Sequence, residues 1–292
     1  LKFWARSFVV AALFSAAMPV FAAEITSPAK QAHVTDFASG KVLFSKDADA
    51  PMKPASMAKI MTVFVAFQRI ADGQLGMDDK FTISEKAWKK GGSRTFLEVG
   101  RTVSVRELLY GIIVQSGNDA AIVLAEGISG TEDAFVQEMN FWAKKIGMKN
   151  TNFRNSTGWP DPDLTTTAVD LNIMTAELIR RFPADKYPDL YPIFAEREYT
   201  YNKIRQPNRN PLVYGTVGAD GLKTGHTEES GYGLVGSAER DGQRVIMVLN
   251  GMTSMKQRSA ESRRLMDLMF REFKTYRFFE KGQPVDHANV WL

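Results

Sequence analysis

The sequence contains no cysteine and only three histidines, His33, His226 and His287. Without cysteine, disulfide frameworks, thiolate nucleophiles and cysteine-bound zinc are excluded. No histidine pair has the spacing of a helical metal motif, and no Gly-x-Ser-x-Gly turn is present, so a Ser-His-Asp hydrolase is poorly supported. We therefore expect no metal and no cofactor. If a serine is the nucleophile here, its general base has to be sought among the lysines.

The chain also lacks a marked excess of charge of either sign. The chain has 37 Lys and Arg against 33 Asp and Glu, a net charge of +4, and no basic block is dense enough to indicate a nucleic-acid partner. Pairs such as Lys89-Lys90 are typical of solvated faces. With 44% hydrophobic and 11% aromatic residues, the composition is that of a folded protein, which argues against disorder and fibrous folds.

Long hydrophobic runs are missing except near the amino terminus. There, Lys2 and Arg6 precede an apolar stretch at 8–14, and Val20-Phe21-Ala22 has the small-x-Ala pattern of a cleavage site. This pattern predicts a signal peptide over residues 1–22, hence export from the cytoplasm. The alternative is a membrane anchor, which Pro19 and the alanine-rich end of the run disfavour.

Hydrophobic periodicity predicts strands at both ends of the chain and helices between them. The strands are a hairpin over 33–45 that turns at Gly40, then 222–226, 232–238 and 244–249, the last two joined by Asp241-Gly242. The helices are 57–67, 105–114, 120–126 ending at Gly127, 132–146, 169–182 and 255–273, with loops or short strands at 81–101 and a loop at 155–167. The terminal strands are expected to share one antiparallel sheet, an α+β arrangement.

Ser56-Met-Ala-Lys59 is a candidate nucleophile and base. Residues three apart on a helix share a face, so Lys59 can reach the Ser56 hydroxyl near the start of the helix. The lysine would have to be neutral, which burial and a neighbouring cation favour. A second Ser-x-x-Lys, Ser27 to Lys30, contains Pro28 and no apolar periodicity, so we set it aside. The alternative for Ser56 is chance, because both residue types are common.

Two further segments carry polar side chains in unusual settings. Ser116-Gly117-Asn118 interrupts an apolar helical pattern, either as a loop that presents a hydroxyl and an amide to a cleft or as a turn between two helices with Ser116 or Asn118 as the cap of the second. Lys223-Thr224-Gly225 lies on a predicted strand, where alternation places Lys223 and Gly225 on one side and glycine permits close approach of a ligand backbone. The alternative is a surface strand with a solvated lysine.

Together, the order Ser-x-x-Lys, Ser-x-Asn, Lys-Thr-Gly resembles the penicillin-binding and serine β-lactamase superfamily, and most closely the low-molecular-mass D-alanyl-D-alanine carboxypeptidases. The likeness extends to further segments: Pro54-Ala-Ser-Met-Ala-Lys59, Gln115-Ser-Gly-Asn-Asp-Ala120, Gly147-Met-Lys-Asn-Thr151, Arg205-Gln-Pro-Asn-Arg-Asn210, Asp220-Gly-Leu-Lys-Thr-Gly-His226 and Arg277-Phe-Phe-Glu280. The resemblance implies a β-lactamase/transpeptidase-like α/β fold, an α+β sandwich whose antiparallel sheet is flanked by a mostly helical subdomain.

The resemblance also implies roles for individual residues. The catalytic residues would be Ser56 as the acylated nucleophile, Lys59 as its base, and Ser116 with Lys223 as a proton relay to the leaving amine. The substrate-binding residues would be Asn118 for the substrate amide, His226 and Ser56 through backbone N–H groups that form an oxyanion hole, Gly225 on the same strand, and Thr224 with Arg209 or Arg258 for the terminal carboxylate. A guanidinium suits a free carboxylate because it can bind both oxygens.

By the same resemblance, the protein would remove the terminal D-alanine from peptidoglycan stem peptides and be inhibited covalently by β-lactams. Residues 25–280 would form the catalytic domain, and residues 281–292 would begin a truncated, β-rich C-terminal domain. The resemblance further implies that the protein is secreted across the inner membrane into the periplasm. In this family a region after the β-rich domain gives peripheral attachment to the inner membrane, so such attachment is a further expectation.

Two rivals share the fold. A class A-like β-lactamase would need a glutamate about 36 residues after the serine of the second motif, by resemblance to that class, yet residues 151–169 contain none. Ser-Gly-Asn in place of Ser-Asp-Asn also favours the carboxypeptidase. A catalytically idle peptidoglycan-binding scaffold is the second rival, and the intact Ser56, Lys59 and Lys223 argue against it.

Overall fold

The computed structural model describes residues 25–276 and Gln283. The predicted signal peptide at 1–22 lies outside the described residues, as does all of the predicted 281–292 segment except Gln283. Among the helices that are described, none is long and apolar enough to cross a lipid bilayer.

Strands and helices follow one another in the α+β order that the sequence predicts. The strands in the described part are β1 (Gln31–Asp36), β2 (Val42–Lys46), β3 (Lys80–Thr82), β4 (Thr102–Ser104), β5 (Glu198–Tyr201), β6 (Ile204–Pro207), β7 (Ala219–Thr227), β8 (Gly231–Arg240) and β9 (Gln243–Met252). The α-helices there are α1 (Lys59–Ala71), α2 (Glu85–Lys89), α3 (Val105–Ile113), α4 (Asn118–Ser129), α5 (Glu132–Ile146), α6 (Ala168–Arg181) and α7 (Met255–Glu272), and a short 3₁₀ helix, Ala55–Ala58, leads into α1.

Both ends of the described chain meet in one five-stranded antiparallel sheet with the order β2-β1-β9-β8-β7. Strand β1 pairs with β9, so that His33 lies opposite Val248, and this confirms that the terminal strands share a sheet. The two-residue turn between β8 and β9 is Asp241-Gly242, with φ of +50° and +76°, as the hairpin motif predicts. Strand β7 lies at one edge of this sheet.

The sheet separates two hydrophobic cores. Along β9, Val245, Met247 and Leu249 pack on the α7 side, while Ile246 and Val248 pack on the side of the helical region. On that second side α1 is buried along most of its length, from Lys59 to Phe67, because other helices surround it. The first residue of this central helix is a lysine with no exposed surface, a costly placement for a cation.

Two local predictions are wrong, and one further element was not predicted. The helix predicted to end at Gly127 continues to Ser129, since Gly127 is a contact site: a Cβ there would lie 2.2 Å from the Phe81 ring. The region 81–101 includes the short helix α2, which the sequence analysis did not anticipate. The hairpin β5–β6 was also missed, because Asn202 and Lys203 form its turn with positive φ although neither is glycine.

Candidate active site

Ser56 and Lys59 lie on consecutive turns where the 3₁₀ helix becomes α1. Pro54 precedes this helical segment, and its carbonyl accepts a hydrogen bond from Met57 N at 3.1 Å. The continuous helical backbone brings Lys59 Nζ to 2.9 Å from Ser56 Oγ, the contact that the three-residue spacing predicts. A serine hydroxyl within hydrogen-bond distance of an amine is the arrangement from which a lysine can activate a nucleophile.

Lys59 is held by two more oxygens deep in the protein. Its Nζ donates to Asn118 Oδ1 at 2.7 Å and to the carbonyl oxygen of Thr157 at 2.8 Å. The pKa of Lys59 is lowered to about 7, first by burial and then by the charge of the nearby Arg209 guanidinium, against the opposing effect of Asp119. A substantial fraction of the lysine is therefore neutral near neutral pH.

The contacts of Lys59 also fix the direction of its lone pair. Asn118 Oδ1 and the Thr157 carbonyl can only accept hydrogen bonds, so a neutral amine directs its two N–H groups at them. The Asn118 amide is oriented by its Nδ2, which donates to the Gly91 carbonyl at 2.8 Å. The remaining position on Nζ is the lone pair, and it faces the Ser56 hydroxyl. The geometry thus suits proton abstraction from Ser56.

Ser116 lies in the short connection between α3 and α4. It has a φ of +61°, unusual for a residue other than glycine, and is 1% exposed. Its neighbour Gly117 packs so closely that a Cβ would lie 2.2 Å from the Thr95 hydroxyl. The sequence left two interpretations open, and the loop interpretation agrees with the structure, because the connection presents the Ser116 hydroxyl to the cleft beside Ser56. The connection is also a turn between two helices, but the expected Ser or Asn cap is wrong: the N-cap of α4 is Gly117, without a side-chain cap.

Asp119, which sequence reasoning did not single out, organises one wall of the site. It is fully buried, and its carboxylate accepts hydrogen bonds from the backbone N–H groups of Thr95, Phe96 and Leu97 at 2.8 to 3.2 Å. These bonds hold Phe96 at a φ of +68°. Two signals were present in the sequence: Asp119 belongs to the Gln115–Ala120 segment that carries the family resemblance, and it is an acidic residue in the first turn of a helix, which ordinarily indicates no more than a favourable charge–dipole interaction.

Strand β7 brings the third motif against the first two. Lys223 is 3% exposed, and its Nζ donates to Ser116 Oγ at 2.8 Å. Burial, followed by the charge of Lys59, sets the pKa of Lys223 well below its ordinary value. Gly225 faces the helical turn that carries Ser56, where a Cβ would lie 2.7 Å from the Pro54 carbonyl oxygen. This close approach of strand to helix is enough to require glycine at position 225, whether or not a ligand binds there.

These elements enclose an open cleft of about 430 Å³ in front of Ser56. Most of the predicted site residues line it, and Lys59, Asn118 and Lys223 are buried around its floor. The lining residues are Ser56, Ser93, Ser116, Pro207, Asn208, Arg209, Thr224, Gly225, His226, Tyr232, Met255 and Arg258. The ring of His226 stacks on Tyr232 with centroids 3.8 Å apart, an aromatic contact that the sequence did not predict.

Both candidate arginines reach the cleft, and neither has a carboxylate within ion-pair distance among residues 25–276. Arg209 donates to the Ser93 hydroxyl. Arg258, on the first turn of α7, is 7% exposed, and its buried Nε has no hydrogen-bond partner in the described part of the chain. Burial lowers the pKa of Arg258 to about 10, and the charge of Arg209 acts in the same direction. The cleft is therefore positively charged and suited to an anionic group.

Comparison with known proteins places this site in a family. A family model described as D-alanyl-D-alanine carboxypeptidase matches residues 17–253. The D-alanyl-D-alanine carboxypeptidase DacF of Bacillus subtilis is 38% identical over 267 residues, which cover 91% of this chain and 68% of that protein.

Solved structures of penicillin-binding proteins are similar to this chain in both fold and sequence. Penicillin binding protein 6B of Escherichia coli superimposes with a TM-score of 0.83 at 34% identity, covering 91% of this chain and 84% of that one. The ampicillin-bound form of penicillin-binding protein D2 of Listeria monocytogenes has a TM-score of 0.75 at 30% identity, covering 85% and 99%. These findings confirm the transpeptidase-like fold. With Ser56, Lys59 and the cleft in place, the chain belongs to the D-alanyl-D-alanine carboxypeptidase family of serine peptidases.

Proposed function

We propose that this protein removes the C-terminal D-alanine from peptidoglycan stem peptides through an acyl-enzyme formed on Ser56. One observation carries the proposal: a fully buried lysine lies 2.9 Å from the Ser56 hydroxyl, and its other two contacts are to oxygens that can only accept. A lysine so placed acts as the base that Ser56 needs, in a site where no histidine contacts the nucleophile among the hydrogen bonds of the described residues.

Acylation begins when Ser56 Oγ attacks the carbonyl carbon of the penultimate D-alanine and its proton passes to Lys59 Nζ. The carbonyl oxygen becomes an oxyanion, which the backbone N–H groups of Ser56 and His226 stabilise. The substrate backbone lies along β7, whose outer edge is free of a neighbouring strand within the sheet. Asn118, held between Lys59 and Gly91, binds the substrate amide on the opposite side.

Collapse of the tetrahedral intermediate breaks the peptide C–N bond. Ser116 Oγ relays the proton from Lys59 to the leaving nitrogen, while Lys223 orients the Ser116 hydroxyl through their 2.8 Å hydrogen bond. D-alanine then leaves, and water takes its place. Lys59 accepts a proton from this water as it attacks the ester, and Ser56 recovers its proton when the shortened peptide is released.

The substrate carboxylate is recognised at the cationic end of the cleft. Thr224, Arg209 and Arg258 line this region, and the unpaired Nε of Arg258 offers a buried donor. A carboxylate with two oxygens can accept from a guanidinium and a hydroxyl together. This requirement for a free C-terminus is what makes the enzyme a carboxypeptidase.

β-Lactams occupy the same site as substrate analogues and acylate Ser56. In support, the relative from Listeria monocytogenes was crystallised in an ampicillin-bound form. Residues 151–169, which run through the loop beside Lys59 into the start of α6, contain no glutamate to activate a deacylating water. We also propose that the segment 1–22 directs export to the periplasm, the compartment in which stem peptides are exposed.

The test is release of D-alanine from acetyl-L-Lys(acetyl)-D-Ala-D-Ala by the wild-type protein and by Ser56→Ala, with Ser27→Ala as the matched control from the other Ser-x-x-Lys segment. We expect Ser56→Ala to lose both D-alanine release and labelling by fluorescent penicillin, and Ser27→Ala to keep both. Activity that survives in Ser56→Ala but not in Ser27→Ala would overturn the assignment. A folded wild-type protein that releases no D-alanine and takes up no penicillin would be an idle scaffold.

A further inference from the structure

Glu132 is a buried acidic residue, 8% exposed, in the first turn of α5. An acidic residue in this position ordinarily interacts with the helix dipole from solvent, as the exposed Asp133 of the same turn can. The helix is capped by Thr131, whose hydroxyl accepts from Ala134 N at 3.1 Å. Because a glutamate is rarely buried unless it is paired, the position of Glu132 indicates partners outside α5.

The carboxylate of Glu132 is bound by two such partners. Its Oε1 accepts hydrogen bonds from the backbone N–H of Ser156 at 3.1 Å and from the Ser156 hydroxyl at 2.7 Å. Its Oε2 lies 2.7 Å from Nζ of Lys86 on α2. Burial raises the pKa of Glu132, but the hydrogen bonds from Lys86 and Ser156 outweigh burial and hold the pKa below its ordinary value. The carboxylate is therefore ionised near neutral pH.

Ser156 is fully buried and is held from two directions. Glu132 binds its N–H and its hydroxyl on one side. On the other side, the Ser156 carbonyl accepts from Thr62 Oγ1 at 2.6 Å, and Thr62 lies about one turn beyond Lys59 on α1. The backbone at position 156 is thus fixed between α1 and α5.

The residue after Ser156 supplies a contact of the catalytic base. The carbonyl oxygen of Thr157 accepts from Lys59 Nζ at 2.8 Å. Because the N–H and the carbonyl of Ser156 are both bound, the peptide that leads into Thr157 has little freedom, and the direction of the Thr157 carbonyl is set with it. The contacts therefore run from Glu132 through the loop backbone to Lys59.

The Thr157 carbonyl in turn determines where the lone pair of Lys59 points. A neutral amine has two N–H groups, and those of Lys59 are directed at Asn118 Oδ1 and at this carbonyl. If the carbonyl moves away, one N–H group loses its acceptor. The amine can then rotate, and its lone pair no longer faces the Ser56 hydroxyl throughout.

We propose that Glu132 is a positioning residue for the catalytic base Lys59. Through Ser156 it holds the Thr157 carbonyl in place, and this carbonyl keeps the lone pair of the neutral amine directed at Ser56. The inference rests on the role of Lys59 in the proposed function. Glu132 itself contacts neither the substrate nor the reacting atoms and acts only through the loop backbone.

The experiment measures the second-order rate constant of acylation by a fluorescent penicillin across a range of pH, with D-alanine release in parallel. A rate constant, unlike a labelling amplitude, does not depend on the fraction of folded protein. Glu132→Met keeps the length of the side chain but has neither charge nor an acceptor oxygen. Glu132→Gln also lacks the charge but keeps an acceptor oxygen for Ser156. Asp133→Asn, which removes a carboxylate from the same helical turn, is the matched control.

We expect Glu132→Met to lower the rate constant above the rising limb on the order of tenfold, the effect of losing about one hydrogen bond, and Glu132→Gln to recover most of it. In Glu132→Met the rising limb should also move to lower pH. A carbonyl accepts a stronger hydrogen bond from an ammonium group than from an amine, so its displacement disfavours the charged form and lowers the pKa of Lys59. Asp133→Asn should change neither quantity.

The variants leave the other charges around Lys59 in place. The charged groups that act on it or are acted on by it are those of Arg209, Asp119, Lys90 and Lys223. Glu132→Gln and Glu132→Met remove the same charge, so a difference between them reports the acceptor oxygen alone.

Ser156→Ala tests the same contact from the other side. It removes the hydroxyl and keeps the backbone N–H, so it should lower the rate constant less than Glu132→Met does. The double variant should lose no more than Glu132→Met alone, because the hydroxyl acts through Glu132. Losses that multiply in this cycle would overturn the inference.

Equal shifts of the rising limb in Glu132→Gln and Glu132→Met would also overturn it, since the charge at a distance, rather than the bond to Ser156, would then be responsible. So would a rate constant and a rising limb in Glu132→Met that match the wild type. In each case D-alanine release by the wild type leaves the proposed function standing. If the wild type releases no D-alanine and is not acylated, the proposed function itself fails, and the two failures are thereby distinguished.

Discussion

Lys223 donates a hydrogen bond of 2.8 Å to the Oγ of Ser116, although 107 positions separate the two residues in the chain. Ser116 belongs to the connection before α4 in the helical region, and Lys223 lies on the edge strand of the sheet. Their contact therefore joins the two halves of the fold across the cleft. It also gives the buried lysine its closest hydrogen-bond partner, at a site where burial already disfavours the charge.

The first prediction concerns this pair. If Ser116 and Lys223 act as one relay, Ser116→Ala and Lys223→Ala should each lower kcat by about 10²- to 10⁴-fold, the usual contribution of a positioned acid or base. The double variant should lose little more than either single variant, because residues that act as a unit are not additive. Losses that simply multiply in this double-mutant cycle would mean that the two side chains work independently.

Lys59→Arg should be nearly as inactive as Lys59→Ala in D-alanine release. Arginine keeps the positive charge but does not deprotonate near neutral pH, so it cannot accept the Ser56 proton. Lys30→Arg, in the other Ser-x-x-Lys segment, is the matched control and should retain activity. Substantial turnover by Lys59→Arg in a steady-state assay would assign Lys59 an electrostatic or structural role and require another base.

The pH dependence of acylation should report the pKa of Lys59. The base is the neutral amine, so the rate of penicillin acylation should rise as pH increases through about 7. Arg209 lowers this pKa, and removing its charge in Arg209→Gln should move the rising limb to higher pH. Arg258 lowers the pKa of Lys223 rather than that of Lys59, so Arg258→Gln should leave the limb in place. Identical shifts in both variants, measured by stopped-flow, would contradict this electrostatic assignment.

Carboxylate recognition can be tested with paired substrates. Arg209→Ala or Arg258→Ala should lower kcat/KM for a peptide that ends in a free D-Ala-D-Ala carboxylate by about 10- to 150-fold, equivalent to about 1.5–3 kcal/mol for a charge-assisted hydrogen bond. The C-terminally amidated peptide should be poor with the wild type and insensitive to the substitution. An equal loss on both peptides would point to a folding role for that arginine.

Penicillin should acylate the protein and remain attached far longer than it does in a β-lactamase. The leaving amine of a peptide departs as D-alanine and admits water, whereas in penicillin it stays tethered through the thiazolidine ring and obstructs the water's path. Residues 151–169 provide no glutamate that could activate a water instead. Intact-protein mass spectrometry after a penicillin pulse should show a persistent penicilloyl adduct. An adduct that disappears within seconds would revive the β-lactamase alternative.

Much of this protein follows from its sequence alone. Alternation places Ile246 and Val248 on one face of β9 and Val245 and Met247 on the other, which is why the strands near the chain ends were predicted correctly. The Ser56–Lys59 contact is equally local, because a helical backbone brings residues three apart together whatever surrounds them. The resemblance carried by the three motifs supplied the family, which the comparisons confirm.

Only the tertiary structure decided how these motifs become a site. Nothing local to Lys59 indicates that the Thr157 carbonyl and Asn118 will occupy its N–H groups, or that burial will bring its pKa to about 7. Gly127 illustrates the same limit: the sequence pattern predicts a helix end at this glycine, but the residue lies in the last turn of α4, where the Phe81 ring leaves no room for a Cβ. Hydrophobic periodicity indicates which face of a helix or strand is buried. The pKa of a buried amine and the space beside a glycine depend instead on residues that are distant in the chain and that folding brings close.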